Sequence, residues 1–169
     1  GATLIDSAKE IYDRSDMIVK VKEPLPEEYP LLREGQILYT YLHLAADARL
    51  TKALMARKIV GIAYETIQAP DGSLPLLVPM SAVAGRMATQ IGATFLQHEN
   101  GGKGMLLGGV TGVDRASVVI IGGGAVGVNA AKMAVGLGAK VSILDTNVHR
   151  LEYLSDIFKN ELTTLYSNS

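Results

Sequence analysis

The sequence predicts an α/β fold built on parallel sheets, and three observations predict it. Strand-like and helix-like segments alternate along the 169 residues, the order that parallel pairing needs. Residues 118–145, "VVIIGGGAVGVNAAKMAVGLGAKVSILD", read as strand, glycine turn, helix and strand. Short connections rich in proline and glycine separate the segments, including the turn chemistry of Pro70, Asp71 and Gly72.

Taken in order, Asp6 is placed to cap a short helix ending near Ser15. "DMIVKVKEP" is a strand stopped by Pro24, which lacks the amide a ladder uses. "LPEEYPLLREG" is a proline-punctuated connection with room for one helical turn, closed by Gly35. "QILYTYLHL" is a second strand, and "AADARLTKALMARK" a helix with Leu50, Ala53 and Leu54 on one face. "IVGIAYE" is a third strand. The longest helix spans about 81–97, with Ser81 at its N-cap and Val83, Met87, Ile91 and Phe95 at helical spacing. The domain boundary is expected near Pro75, giving units 1–75 and 76–169 with the long helix as the link. Both ends read as cut: after one βαβ unit the chain runs out at "LTTLYSNS", where such a fold needs further strands.

Composition excludes several functions. Sixteen basic and seventeen acidic residues give a formal charge of −1, so no electrostatic footprint for nucleic acid or an anionic membrane exists. The absence of cysteine removes disulfides, thiolate metal sites and cysteine nucleophiles. The longest apolar run, Ala116 to Val128, is too short to span a bilayer. No secretory signal opens the chain, so a cytoplasmic protein is the expectation. Three scattered histidines without partnered carboxylates argue against a metal site.

Chemistry speaks loudest at the glycine turn. Gly122, Gly124 and Gly127 stand in GxGxxG spacing behind the apolar strand Val118–Ile121. The first glycine permits the turn, the second lets backbone approach a pyrophosphate, and the third lets helix and strand pack closely. Amides of Gly124, Ala125, Val126 and Gly127 then face the phosphates at a helix start. Asp145 ends the next strand, eighteen residues after Gly127, where a carboxylate can accept from adenosine ribose hydroxyls. This predicts a dinucleotide cradle with NAD preferred over NADP; Arg150 tempers that preference, since an arginine can accommodate a ribose phosphate.

Two residues suit a substrate. Lys22 and His43 close successive strands, where ligands gather, and could hold a carboxylate and move a proton. Position alone favours a solvated lysine beside Glu23 and a core histidine between two leucines. His98 and His149 read as surface residues. For Glu65 a buried acid and a salt-bridge partner both stay open.

At "VKVKEP", "YTYLHLAAD", "AYETIQAPDGSLPLLVPMSAVAGRMATQIGA", "GGKGMLLGGVTGV" and the glycine turn, the chain closely resembles the alanine dehydrogenases, over essentially all its length. The resemblance implies two Rossmann-like parallel-sheet domains, both incomplete here, with a cleft between them, and an NAD-dependent oxidation of L-alanine to pyruvate and ammonia. It implies that Lys22 binds the substrate carboxylate and that His43 is the active-site histidine, assigned proton transfer. It further implies Ser81, Gly122 to Gly127, Asp145, Arg150 and Ser167 on the cofactor, and a homohexamer whose subunits pair partly through the long helix. The family chain begins a few dozen residues earlier, with an arginine for the substrate, and continues well past Ser169 to a catalytic aspartate. Neither has a counterpart here, so these 169 residues alone are expected to be inactive. Thr111 stands where proline is common. Two other readings remain: the nucleotide-binding subunit of a proton-translocating transhydrogenase, which fits "LHLAAD" and "AYETIQAPDGSLP" poorly, and a cofactor-binding or assembly module without catalysis.

Overall fold

Three short parallel strands organise the first 77 residues, and three more organise the chain from Val78 onward. The structure is a computed structural model that describes residues 1–168. In the first unit β1 (Met17–Val19), β2 (Ile37–Thr40) and β3 (Val60–Ala63) pair in that order, Met17 opposite Ile37 and Ile37 opposite Val60. Helices α1 (Ala8–Arg14) and α2 (Ala48–Arg57) supply the crossovers' cover. Tyr12, Ile18, Leu32, Leu38, Leu42, Leu50 and Leu54 form the core. The α1 cap is Ser7 rather than the expected Asp6: Ser7 stands three residues before Glu10, whose amide its hydroxyl reaches at 3.4 Å. Asp47 caps α2 by accepting from the amides of Arg49 and Leu50.

The strand expected over residues 16–24 is regular only to Val19. Lys20 still donates its amide to Tyr39, and Val21 still accepts from Tyr41. Glu28 then draws the chain into a turn, because its carboxylate pairs with the Lys20 ammonium and accepts the Leu25 amide at 2.6 Å. The helical turn within the connection is a 3-10 segment, Pro26–Leu31.

In the second unit β4 (Ser117–Ile121), β5 (Lys140–Asp145) and β6 (Leu162–Tyr166) pair in parallel in that order. Helix α3 (Val78–Phe95) precedes them; α4 (Ala125–Gly136) and α5 (Val148–Phe158) make the crossovers. A second βα crossover therefore follows the one legible in the sequence, because the β-branched and aromatic "LTTLY" pairs with β5. Ile143, Leu154, Ala131 and Ala134 are fully buried at the centre of this core.

Helix α3 corrects one expectation. It begins at Val78, so Ser81 lies inside it and caps nothing. Pro79 marks the true start, since the first turn has amides to spare and proline lacks one. The stripe Val83, Met87, Ile91 and Phe95 stays about half exposed or more, while the buried residues are Gly85 and Thr89. Small size explains which residues pack inward. A Cβ on Gly85 would lie 2.2 Å from the Val126 carbonyl oxygen, and the Thr89 hydroxyl donates to the Ala130 carbonyl at 3.0 Å. Close approach of α3 to α4 thus selects the small residues and leaves the large ones outside.

Candidate functional site

The C-terminal edge of each sheet carries the candidate residues. In the second unit the chain leaves β4 through Gly122, whose φ of +95° is disfavoured for any residue with a Cβ. It enters α4 at Gly127, where a Cβ would sit 1.9 Å from the Gly122 carbonyl oxygen. Among the described residues nothing lies within 4 Å of where a Cβ on Gly124 would be, so space is open there. Amides of Ala125, Val126 and Gly127 have no carbonyl one turn earlier to pair with. The turn therefore presents main-chain donors, the positive end of a helix dipole and room, which is what a diphosphate fits.

Beside it, Gly123 is held at both its N–H and its carbonyl. Its N–H donates to Asp145 Oδ2 at 2.6 Å, and its carbonyl accepts from Arg150 Nε at 2.6 Å. Asp145 Oδ1 accepts the Asn147 amide at 2.8 Å. These amides, Asn147 first and Gly123 next, hold the Asp145 carboxyl below the usual carboxylate range. An ionised carboxylate has about four lone-pair sites, so these amides leave acceptor capacity for an incoming hydroxyl. The Arg150 guanidinium also lies over the Tyr153 ring at 4.9 Å. At the end of β6 the Ser167 amide donates to the Asp145 carbonyl at 3.0 Å, which brings Ser167 to the same edge. Ser81 shares the α3 face of Gly85 and Thr89, one turn earlier. Since Gly85 meets Val126 and Thr89 meets Ala130, Ser81 stands level with the glycine turn.

In the first unit Lys22 and His43 each lie three residues past a strand end. The Thr40 hydroxyl donates to the Lys22 carbonyl at 2.9 Å and ties the two segments together. The Lys22 side chain is exposed, with Glu23 Oε2 3.9 Å from its ammonium. His43 has a left-handed backbone, φ 47° and ψ 38°, and its ring stacks on Tyr41 at 6.0 Å and 9°. It is no core histidine: it is exposed, while Leu42 before it is buried.

The residue whose place the sequence left open is Glu65, in the turn after β3. Its Oε1 accepts the His43 amide at 2.7 Å and the Leu42 amide at 3.1 Å; Oε2 accepts the Leu42 amide at 3.3 Å. Burial pushes this carboxyl up, but its own amide and those of His43 and Leu42 outweigh burial and hold it below its ordinary value. Sequence reasoning also missed Gly85, Thr89 and Asn129, which accepts from Arg86 at 3.3 Å. Small residues four apart at 81, 85 and 89 were the available signal.

Comparison with known proteins agrees over the whole length. Residues 1–84 match the family description "Alanine dehydrogenase/PNT, N-terminal domain", and residues 88–169 match "Alanine dehydrogenase/PNT, C-terminal domain". The chain is 63% identical over 169 residues to an alanine dehydrogenase of Methanococcus maripaludis and 58% identical over 168 to one of Staphylococcus epidermidis. It covers 45% of each, so it spans about half the length of the curated relatives it matches. A solved L-alanine dehydrogenase superposes with a TM-score of 0.87 at 56% identity, covering 99% of this chain and 46% of that one. A Sinorhizobium meliloti transhydrogenase shares the fold, with a TM-score of 0.71 at 20% identity over 96% of this chain and 46% of its own. Among the described residues no helix is long and apolar enough to cross a membrane.

Proposed function

Since the chain belongs to the alanine dehydrogenase/PNT family, we propose that it supplies the dinucleotide cradle and part of the substrate site of an NAD-dependent alanine dehydrogenase. One observation carries the reading: Asp145 and the Gly123 amide are joined directly at the ends of adjacent parallel strands. That juxtaposition sets a ribose acceptor beside a diphosphate turn.

Bound NAD would supply the hydride acceptor for oxidation of the alanine Cα. Amides of Gly124, Ala125, Val126 and Gly127 hold the diphosphate, and Asp145 holds the ribose. Ser167 and Ser81 flank the cradle, at the ribose edge and the turn respectively. Asp145 repels a ribose phosphate and so favours NAD over NADP, a preference tempered by the cationic Arg150, whose Nε is held on the Gly123 carbonyl. Lys22, exposed and three residues past β1, holds the substrate carboxylate and limits its orientations. His43 moves the proton at the oxygen that becomes the pyruvate carbonyl, as water adds to the imine and ammonia leaves. The exposed Val83, Met87, Ile91 and Phe95 stripe supports a homo-oligomer, in keeping with the family's hexamer.

The test is a chimera in which residues 1–169 replace the matching segment of the Methanococcus maripaludis alanine dehydrogenase. Alanine-dependent NAD reduction is the expected result. Hydride exchange between NADH and an NADP analogue, without any response to alanine, would support the transhydrogenase reading instead.

A further inference from the structure

We propose that Glu65 is a positioning residue for His43: its carboxylate fixes the main chain on which the imidazole is mounted. The inference rests on the reading of His43 as the proton-transferring group. Left-handed backbone is uncommon for a residue with a Cβ, and among the described residues the His43 side chain makes no cap hydrogen bond that would compensate for it. Compensation arrives from 22 residues away. Glu65 Oε1 accepts the His43 amide at 2.7 Å, and both oxygens engage the Leu42 amide.

The geometry around this fork is one-sided. Leu42 is anchored in the core, and the His43 carbonyl accepts the Ala46 amide at 2.9 Å to start the next turn. The peptide between Leu42 and His43 is therefore held by buried packing on one side and the turn on the other. Glu65 supplies the acceptor that sets its rotation. Glu65 itself sits in a single 3-10 turn, Tyr64–Thr66, directly after β3, so the central strand's exit is braced by its neighbour's. Among the described residues the carboxylate's hydrogen bonds run to main-chain amides and not to the imidazole nitrogens. Glu65 acts through the backbone and takes no part in the proton transfer. The bonds that hold it below its ordinary carboxyl value also keep it an acceptor with no proton of its own to clash with the two N–H groups.

Two properties separate this role from a merely structural one. What matters is an acceptor oxygen, not a charge, so Gln substitutes and Ala does not. Misplacing His43 slows the chemical step, while Lys22 still binds the carboxylate, so kcat falls and KM does not. In the chimera described above, Glu65→Ala is expected to lower kcat for pyruvate amination by about 100-fold with KM within about threefold. Glu65→Gln is expected to recover most of that loss. In the 169-residue chain, amide exchange supplies the direct readout: Glu65→Ala accelerates exchange at Leu42 and His43 and leaves Leu50 protected, whereas Glu65→Gln changes neither. An unsubstituted chimera that does not respond to alanine overturns the functional reading, and the exchange experiment still decides the brace. An active chimera in which Glu65→Ala keeps its kcat, or in which Glu65→Gln is as damaging as Glu65→Ala, overturns the proposal. So does unchanged exchange at Leu42 and His43.

Discussion

Both units present the ends of three parallel strands, yet they hold the loops at those ends by opposite means. The first unit uses carboxylates brought from elsewhere in the chain. Glu28 gathers Lys20 and the Leu25 amide, and Glu65 gathers the amides of Leu42 and His43. The second unit uses what glycine lacks. Gly122 takes the turn, Gly127 lets the helix start touch the strand end, and Gly85 lets α3 lie against α4. Asp145 is the exception that links the two styles, a carboxylate gripping a glycine amide. A phosphate-binding turn needs bare backbone donors, so its support cannot come from bulky side chains. A loop that aims a lysine and a histidine has no such restriction.

The comparison breaks most visibly at Gly127. Gly127→Val would drive side-chain atoms into the Gly122 carbonyl, already 1.9 Å from an ideal Cβ. It should abolish NAD binding and destabilise the second unit by about 3 kcal/mol or more, read by denaturant unfolding. Deleting core volume sharpens the comparison next. Leu154→Ala in the second unit and Leu50→Ala in the first remove side chains that are 0% and 1% exposed. Each should cost about 2–5 kcal/mol, and only the former should weaken NAD binding by loosening the Gly123 contact.

Acid is a gentler probe, because it acts on the carboxylates of both units. Folded Glu65 and Asp145 titrate below their ordinary values. Their contribution is thus complete above the unfolded values, near pH 4, and is lost as pH falls through the lower folded values. Urea midpoints measured from pH 7 to pH 3 should decline only at the acid end. Asp145→Asn and Glu65→Gln should flatten that decline. The smallest effect is expected at the exposed stripe of α3. Met87→Ser or Ile91→Ser should change the stability of the isolated chain by no more than about 0.5 kcal/mol. A larger loss would mean that the stripe is buried against something, which size-exclusion of wild type and variant would reveal.

The same contrast explains what could be read from sequence. The strand, turn, helix and strand of the proposed cradle were legible because their parts are local: a β-branched strand, three glycines in five positions' reach, and an acid at the next strand end. The inward face of α3 was not legible because periodicity marks where large apolar residues recur, while close helix packing selects Gly85 and Thr89 instead. Ser81 was taken for a cap although Pro79, a stronger mark of a first turn, stands two residues before it. Glu65 was noticed but not placed, since its partners lie 22 and 23 residues away and are main-chain amides that no motif encodes. Parallel sheets bring such distant pairs together, and only coordinates show which pair meets.

The most direct test of the account is calorimetric titration of NAD into the 169-residue chain beside its Asp145→Ala variant. A single site in the wild type that weakens by about tenfold or more in the variant, roughly 1.4 kcal/mol, is the expected result. Equal binding by the two proteins, or none by the wild type, would contradict it.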